Sequence, residues 1–381
     1  MNDTNVASVK PKKEINYQYK ILYAIGIIYV LMAHSHGESL GFWTETVNIA
    51  GFVLAMFVFA SGYFYNKKVE SNILPYILKK AGRLLIPLYL WQIFYAIVVI
   101  VFSKFGFSYG GPVTFKNLVL SPLISAHLMG FNDPAWFIFP LFLTEVYNVL
   151  IRKALSRFNE KGIDIGLLIF HFLVGFAGIY LSLNHKNKEW WLLLTRFMYF
   201  VPFFTLGTFY RRYLEKKDTL PSFWYFSIII AIDILIILAY GHASRYSIVI
   251  MDENYFENPV MPFVVGILGI ALYLRVGRIL NPVIGKSKYL NLLADNTFPI
   301  MIHHATGFFV LKCLFLLATK VISALPEFSI ELFKNDLTYI YLPRGRGFQL
   351  LYIFFGSLIP ILMQKAVVLL KNRIIGDKHA K

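Results

Sequence analysis

Ten apolar stretches, each close to the roughly 20 residues a helix needs to cross a bilayer, constrain this chain more than any other feature. They lie at about 18–37, 46–65, 84–103, 134–151, 164–183, 191–210, 222–240, 259–275, 296–319 and 348–370. The first and eighth are the least continuous, being short or flanked by polar residues. A chain with 57% hydrophobic and only 15% charged residues cannot clothe a water-facing surface, because soluble domains carry about a quarter charged residues. Lipid removes that conflict. Within lipid the backbone must satisfy its own hydrogen bonds, which a helix does. The expected fold is therefore all-α: a polytopic integral membrane protein of about ten transmembrane helices.

The net charge of +16 is spread over short clusters between the apolar stretches, unlike the single patch or tail of a nucleic-acid binder. One set of connections holds Lys67, Lys68, Lys79, Lys80 and Arg83, then Arg152, Lys153, Arg157 and Lys161. It continues with Arg211, Arg212, Lys216 and Lys217, then Arg275, Arg278, Lys286 and Lys288. The alternate set is poorer in cations and carries Glu38, Glu45, Asp133, Asp252, Glu253, Glu257, Glu327, Glu331 and Asp336. The positive-inside rule then puts both termini in the cytoplasm, which requires an even number of spans. Residues 1–17 read as a cytoplasmic tail with Lys10, Lys12 and Lys13, residues 18–370 as the membrane domain, and 371–381 as a second cytoplasmic tail. Cys313 is the only cysteine, so neither an intrachain disulfide nor a cysteine metal site is available. No metal site is expected. The longest connections, about 104–133 and 320–347, both fall outside; they either cover an extracytoplasmic entrance or form surface hairpins.

Ionisable residues within spans are costly and are functional candidates by default. His34 lies near the outer part of the first span, where it either takes a proton from a hydroxyl or bonds a backbone group at the interface. His303 and His304 are adjacent, about 100° apart on a helix, so they do not suit one metal ion as a pair at i, i+4 would. One is expected to face the interior and the other to pack against a neighbour. Arg83 is either a cytoplasmic anchor or a fork for phosphate oxygens. Glu145, Asp233, Arg196 and Lys312 also lie at apparent membrane depth, free to pair with one another or to snorkel outward.

Five short motifs recur in a familiar order: Ile25–Ser35 with Ala33-His34-Ser35, Met56–Tyr63 with Ser61-Gly62, Arg83-Leu84-Leu85-Ile86-Pro87, Pro134-Ala135-Trp136-Phe137-Ile138, and Asn296-Thr297 leading to Met301-Ile302-His303-His304. Together they resemble the acyltransferase-3 family of membrane O-acyltransferases, closest to its fucose 4-O-acetylase-like branch, over about Tyr17 to Lys371. The resemblance implies an enzyme that moves an acyl group, most often acetyl, from cytoplasmic acyl-CoA to a hydroxyl of a surface or lipid-linked polysaccharide. It implies a bacterial inner-membrane location and no permanently bound cofactor, acyl-CoA being a substrate.

By the same resemblance His34 is the catalytic residue, with His303 a second and His304 its alternative. Arg83 and Lys20 would hold donor phosphates, and Ser61, Gly62, Trp136 and Asn296 would line the passage, although Ser61-Gly62 also suits close helix packing. The family tends to place a basic residue eleven positions before the histidine, which returns within about 20° of its face and about 16 Å below it. That position is Tyr23 in this chain. Lys20 lies fourteen positions before His34, within about 40° of its face, and is the expected substitute. Where the family often has a second histidine ahead of Ser-Gly, this chain has Val53. Competing readings are a transporter or flippase for a small organic anion or glycolipid, and a catalytically silent relative in polysaccharide export. Against transport, no pair of matching broken helices divides the chain into repeats.

Overall fold

A computed structural model describes residues 15–35, 49–184, 186, 188–240, 258–343 and 346–379. Lys10, Lys12, Lys13, Glu38, Glu45, Asp252, Glu253, Glu257 and Lys381 lie outside the described residues. All ten apolar stretches coincide with helices: α1 (Tyr17–His34), α2 (Ile49–Tyr63), α3 (Ile73–Ser103), α4 (Ile138–Ala154), α5 (Glu160–Leu183), α6 (Glu189–Phe209), α7 (Ser222–Tyr240), α8 (Met261–Ile284), α9 (Thr297–Val321) and α10 (Gln349–His379). The last eight are long and apolar enough to cross a membrane. Among the described residues there are no strands, and the protein is an all-α polytopic membrane protein. α10 runs through position 371, where the cytoplasmic tail is expected to begin, and continues to His379.

α1 and α2, of 18 and 15 residues, sit inside the bundle. α1 buries Tyr19, Leu22, Ile27 and Leu31 against its neighbours. By contrast α7 buries only Ile229 and Ile236, as expected of a helix facing lipid. α2 crosses α6 closely at two reciprocal glycines. A Cβ on Gly62 would sit 1.9 Å from the Phe204 carbonyl oxygen, and one on Gly207 would sit 2.0 Å from that of Phe59. Small residues let membrane helices approach when no hydrophobic force presses them together. The Thr208 hydroxyl adds a hydrogen bond to the Gly62 carbonyl at 2.9 Å.

The basic connections are more than anchors. Asp164, 1% exposed, accepts from Arg152 at 2.6 Å and Arg212 at 2.8 Å, and from the Tyr213 hydroxyl at 2.9 Å. These bonds tie the ends of α4, α5 and α6 into one block. At the opposite end the two long connections pack against each other. The Ser108 amide donates to the Lys334 carbonyl at 2.8 Å and the Tyr109 hydroxyl to that of Phe333. Phe107, Phe309 and Phe333 close the seam, with Phe309 and Phe333 stacked at 5.3 Å. They are therefore joined layers rather than free hairpins.

Candidate active site

α1 ends inside the protein. His34 is its last residue, and its ring centroid lies 4.7 Å from that of His304, with the planes tilted by 48°. His304 is the eighth residue of α9, about 10 Å beyond that helix's first residue and about 26 Å before its last. A helix that stops at such depth leaves carbonyls without partners. Ser35 and Gln349, both fully buried, supply them. The Ser35 amide donates to the Leu31 and Met32 carbonyls at 3.0 and 3.2 Å. The Gln349 amide, at the start of α10, donates to the Met32 carbonyl at 3.3 Å and the Ser35 hydroxyl at 3.1 Å. The turn that carries His34 is thus fixed from two helices.

The two histidines differ in surroundings. His304 is 1% exposed, and its Nδ1 lies 3.0 and 3.1 Å from the Ile300 and Met301 carbonyl oxygens. A carbonyl only accepts, so Nδ1 carries the hydrogen and Nε2 keeps a lone pair. Nε2 has no hydrogen-bond partner among the described residues. His34, by contrast, is exposed. An accessible imidazole nitrogen, backed by a second imidazole of set tautomer, can take a proton from a hydroxyl. His303, also 1% exposed, points elsewhere, toward α3. Its Nδ1 is 2.9 Å from the Tyr95 hydroxyl, and its ring meets Trp91 edge-on at 4.1 Å. Of the adjacent pair, His304 and not His303 meets His34.

The profile of the family described as Acyltransferase domain matches residues 16–362, most of the chain. The chain belongs to the acyltransferase-3 family. It is a membrane acyltransferase. No curated protein and no solved structure matches the chain.

Within this acyltransferase the expected donor residues are not gathered at one point. Lys20 pairs with Asp295, at the end of the short helix Lys288–Asp295. Tyr23 stacks parallel to Phe57 at 6.0 Å and lies within electrostatic reach of Glu145. Glu145 is itself paired with Lys80 at 2.6 Å, so the cation in this neighbourhood comes from α3. Arg83 is exposed on α3 and makes no ion pair among the described residues. Gly62 is taken up by its contact with Phe204; Ser61, beside it, is half-buried. One face of the buried Trp136 is covered by the Arg196 guanidinium at 3.9 Å. Asn296 caps the joint between the short helix and α9, its amide donating to the Leu292 carbonyl at 2.8 Å. Val53 is buried in α2. Among the described residues no cluster of three or more His, Cys, Asp or Glu side chains could hold a metal ion.

Of the residues at apparent membrane depth, Glu145, Arg196 and Lys312 find separate partners instead of one another. Lys312, fully buried, donates to the Leu337 carbonyl at 2.9 Å beneath the Tyr109 and Phe333 rings. Asp233 has no ion pair among the described residues. Sequence reasoning missed Ser35 and Gln349. Their bond spans 314 positions, and a glutamine ahead of an apolar run carries no local sign of such a partner.

Proposed function

We propose that this acyltransferase moves an acyl group, most simply acetyl, from cytoplasmic acyl-CoA to a hydroxyl of a surface or lipid-linked polysaccharide. It does so as a multi-pass protein of a bacterial inner membrane with both termini in the cytoplasm. The observation that carries this reading is the His34–His304 pair at the interior end of α1. His34 takes the proton of the acceptor hydroxyl as its oxygen attacks the thioester carbonyl. The new C–O bond forms, the C–S bond breaks, and the proton passes from His34 to the departing thiolate, giving ester and free thiol. His304, its Nδ1 hydrogen held by backbone carbonyls, backs His34 with a lone pair while the proton is in transit. Gln349 and Ser35 hold the turn in place. Tyr23, where the family tends to have a cation, is served by the neighbouring Lys80–Glu145 pair.

The test compares surface glycan by mass spectrometry in cells with the intact gene, a deletion and His34→Ala. Loss of one acyl mass in both the deletion and the variant, at equal protein level and glycan yield, is the expected result. An unchanged acyl pattern with less surface glycan would replace this reading with export.

A further inference from the structure

At the end of the bundle where α1 begins, a cleft of about 1670 Å³ opens between the start of α1, the chain just after α2, the end of α6 and the end of α8. Among the described residues it is lined by four cations, Lys67, Arg211, Arg212 and Lys286, and by no carboxylate. Two of the four are already neutralised from behind: Glu160 pairs with Lys67 at 3.2 Å and Arg212 at 2.6 Å, and Asp164 with Arg212 at 2.8 Å. Arg211 and Lys286 are exposed and have no ion pair among the described residues. The Arg211 guanidinium is oriented by the Tyr63 carbonyl at 3.0 Å and lies over the Tyr63 ring. The Tyr63 hydroxyl donates to the Glu215 carboxylate at 2.6 Å, so an acid stands behind the Tyr63 wall, but the only charged residues in the described lining are cations, and a concave cationic surface concentrates anions.

We infer that this cleft is a binding site for the diphosphate of a nucleotide, and, resting on the acyl-CoA reading above, that it holds the nucleotide end of the donor. A guanidinium suits two phosphate oxygens at once, and a lysine in the same lining suits a point contact. The exposed Asn281 amide in the lining offers a donor and an acceptor for a base or sugar. Phe64, 39% exposed, offers a ring face for stacking. The volume exceeds the roughly 300–1,000 Å³ of a pocket for a drug-sized ligand, as a nucleotide with a long arm requires. From Tyr17 at the cleft to His34 the axis of α1 runs about 26 Å, the path along which the acyl-bearing arm would extend.

Phosphate chemistry is shared by anionic lipid headgroups, so the experiment has two arms. The intact protein and Arg211→Gln/Lys286→Gln are placed in nanodiscs of neutral lipid and titrated with CoA and with pantetheine, which lacks the nucleotide and diphosphate. Retention of phosphatidylglycerol is measured in parallel by native mass spectrometry. The expected result is CoA binding at least tenfold weaker in the double variant, pantetheine binding unchanged, and His34→Ala binding CoA as the intact protein does. CoA binding unchanged in the double variant overturns the inference and leaves the acyl-CoA reading standing. Loss of phosphatidylglycerol retention alongside unchanged CoA binding overturns it too, and assigns the cleft to a headgroup. If the intact protein binds no CoA, the acyl-CoA reading itself fails and takes the inference with it.

Discussion

Where α1 begins, Arg211 and Lys286 are exposed around an open cleft with no carboxylate among the described residues of its lining. At the far end of the bundle Lys312 is fully buried, its charge held by one carbonyl and flanked by the Tyr109 and Phe333 rings under two interlocked connections. The same class of side chain serves opposite ends. A solvated cation loses little by waiting for an anion, so it can exchange ligands. A desolvated one must be satisfied permanently by the protein, since an unpartnered buried charge is expensive. At the cleft's own end, Arg152 and Arg212 share the buried Asp164, which neutralises them and fastens helices together. Counting positive charges by region says little about their use until each one's neighbours are known.

The largest effect is expected between the two ends, at His34. His34→Ala should lower acyl transfer by about 10²- to 10⁴-fold, the usual worth of a general base, while CoA titration stays unchanged; loss of CoA binding would show that the variant damages the donor end as well. Next comes Asp164→Ala, which leaves two arginines without their shared acid. Breaking a buried ion pair costs about 3–5 kcal/mol, so thermal unfolding in detergent should shift sharply downward, and a shift of only a degree or two would place Asp164 with the solvated charges. Lys312→Met keeps the volume but leaves the Leu337 carbonyl without its donor, at about 1–3 kcal/mol. Faster hydrogen exchange confined to residues 322–343, with donor binding untouched, is the expected signature of a static far end. The smallest effect belongs to Gln349→Leu. Loss of a net hydrogen-bond contribution of about 0.5–1.5 kcal/mol should lower kcat by about 2- to 12-fold with KM for the donor unchanged, as for a residue that positions His34 without touching donor.

The positions of all ten helices were legible because apolar length is a local property, written continuously along the chain. His34 was legible as a candidate through the same logic, a histidine within an apolar run. Its partner was not: His303 and His304 are neighbours in sequence, and only the rotation of α9 against α1 and α3 turns one toward His34 and the other toward Tyr95. The donor residues show the same limit. Lys20 shares a helix face with His34 by arithmetic, yet it is drawn to Asp295, which lies 275 positions away. Gly62 read equally well as passage or packing, and the Phe204 carbonyl decided for packing.

By itself the sequence determined the solvent, the fold class and the spacing of the helices, because burial of apolar length in lipid depends on nothing beyond the segment concerned. It also carried enough ordered motif for the acyltransferase-3 family. Tertiary structure alone decided which histidine completes the pair, how Gln349 holds the end of α1, and which cations remain unneutralised. Those outcomes depend on side chains that meet from helices far apart in the chain, and a charge or lone pair is free or spent only according to what it meets.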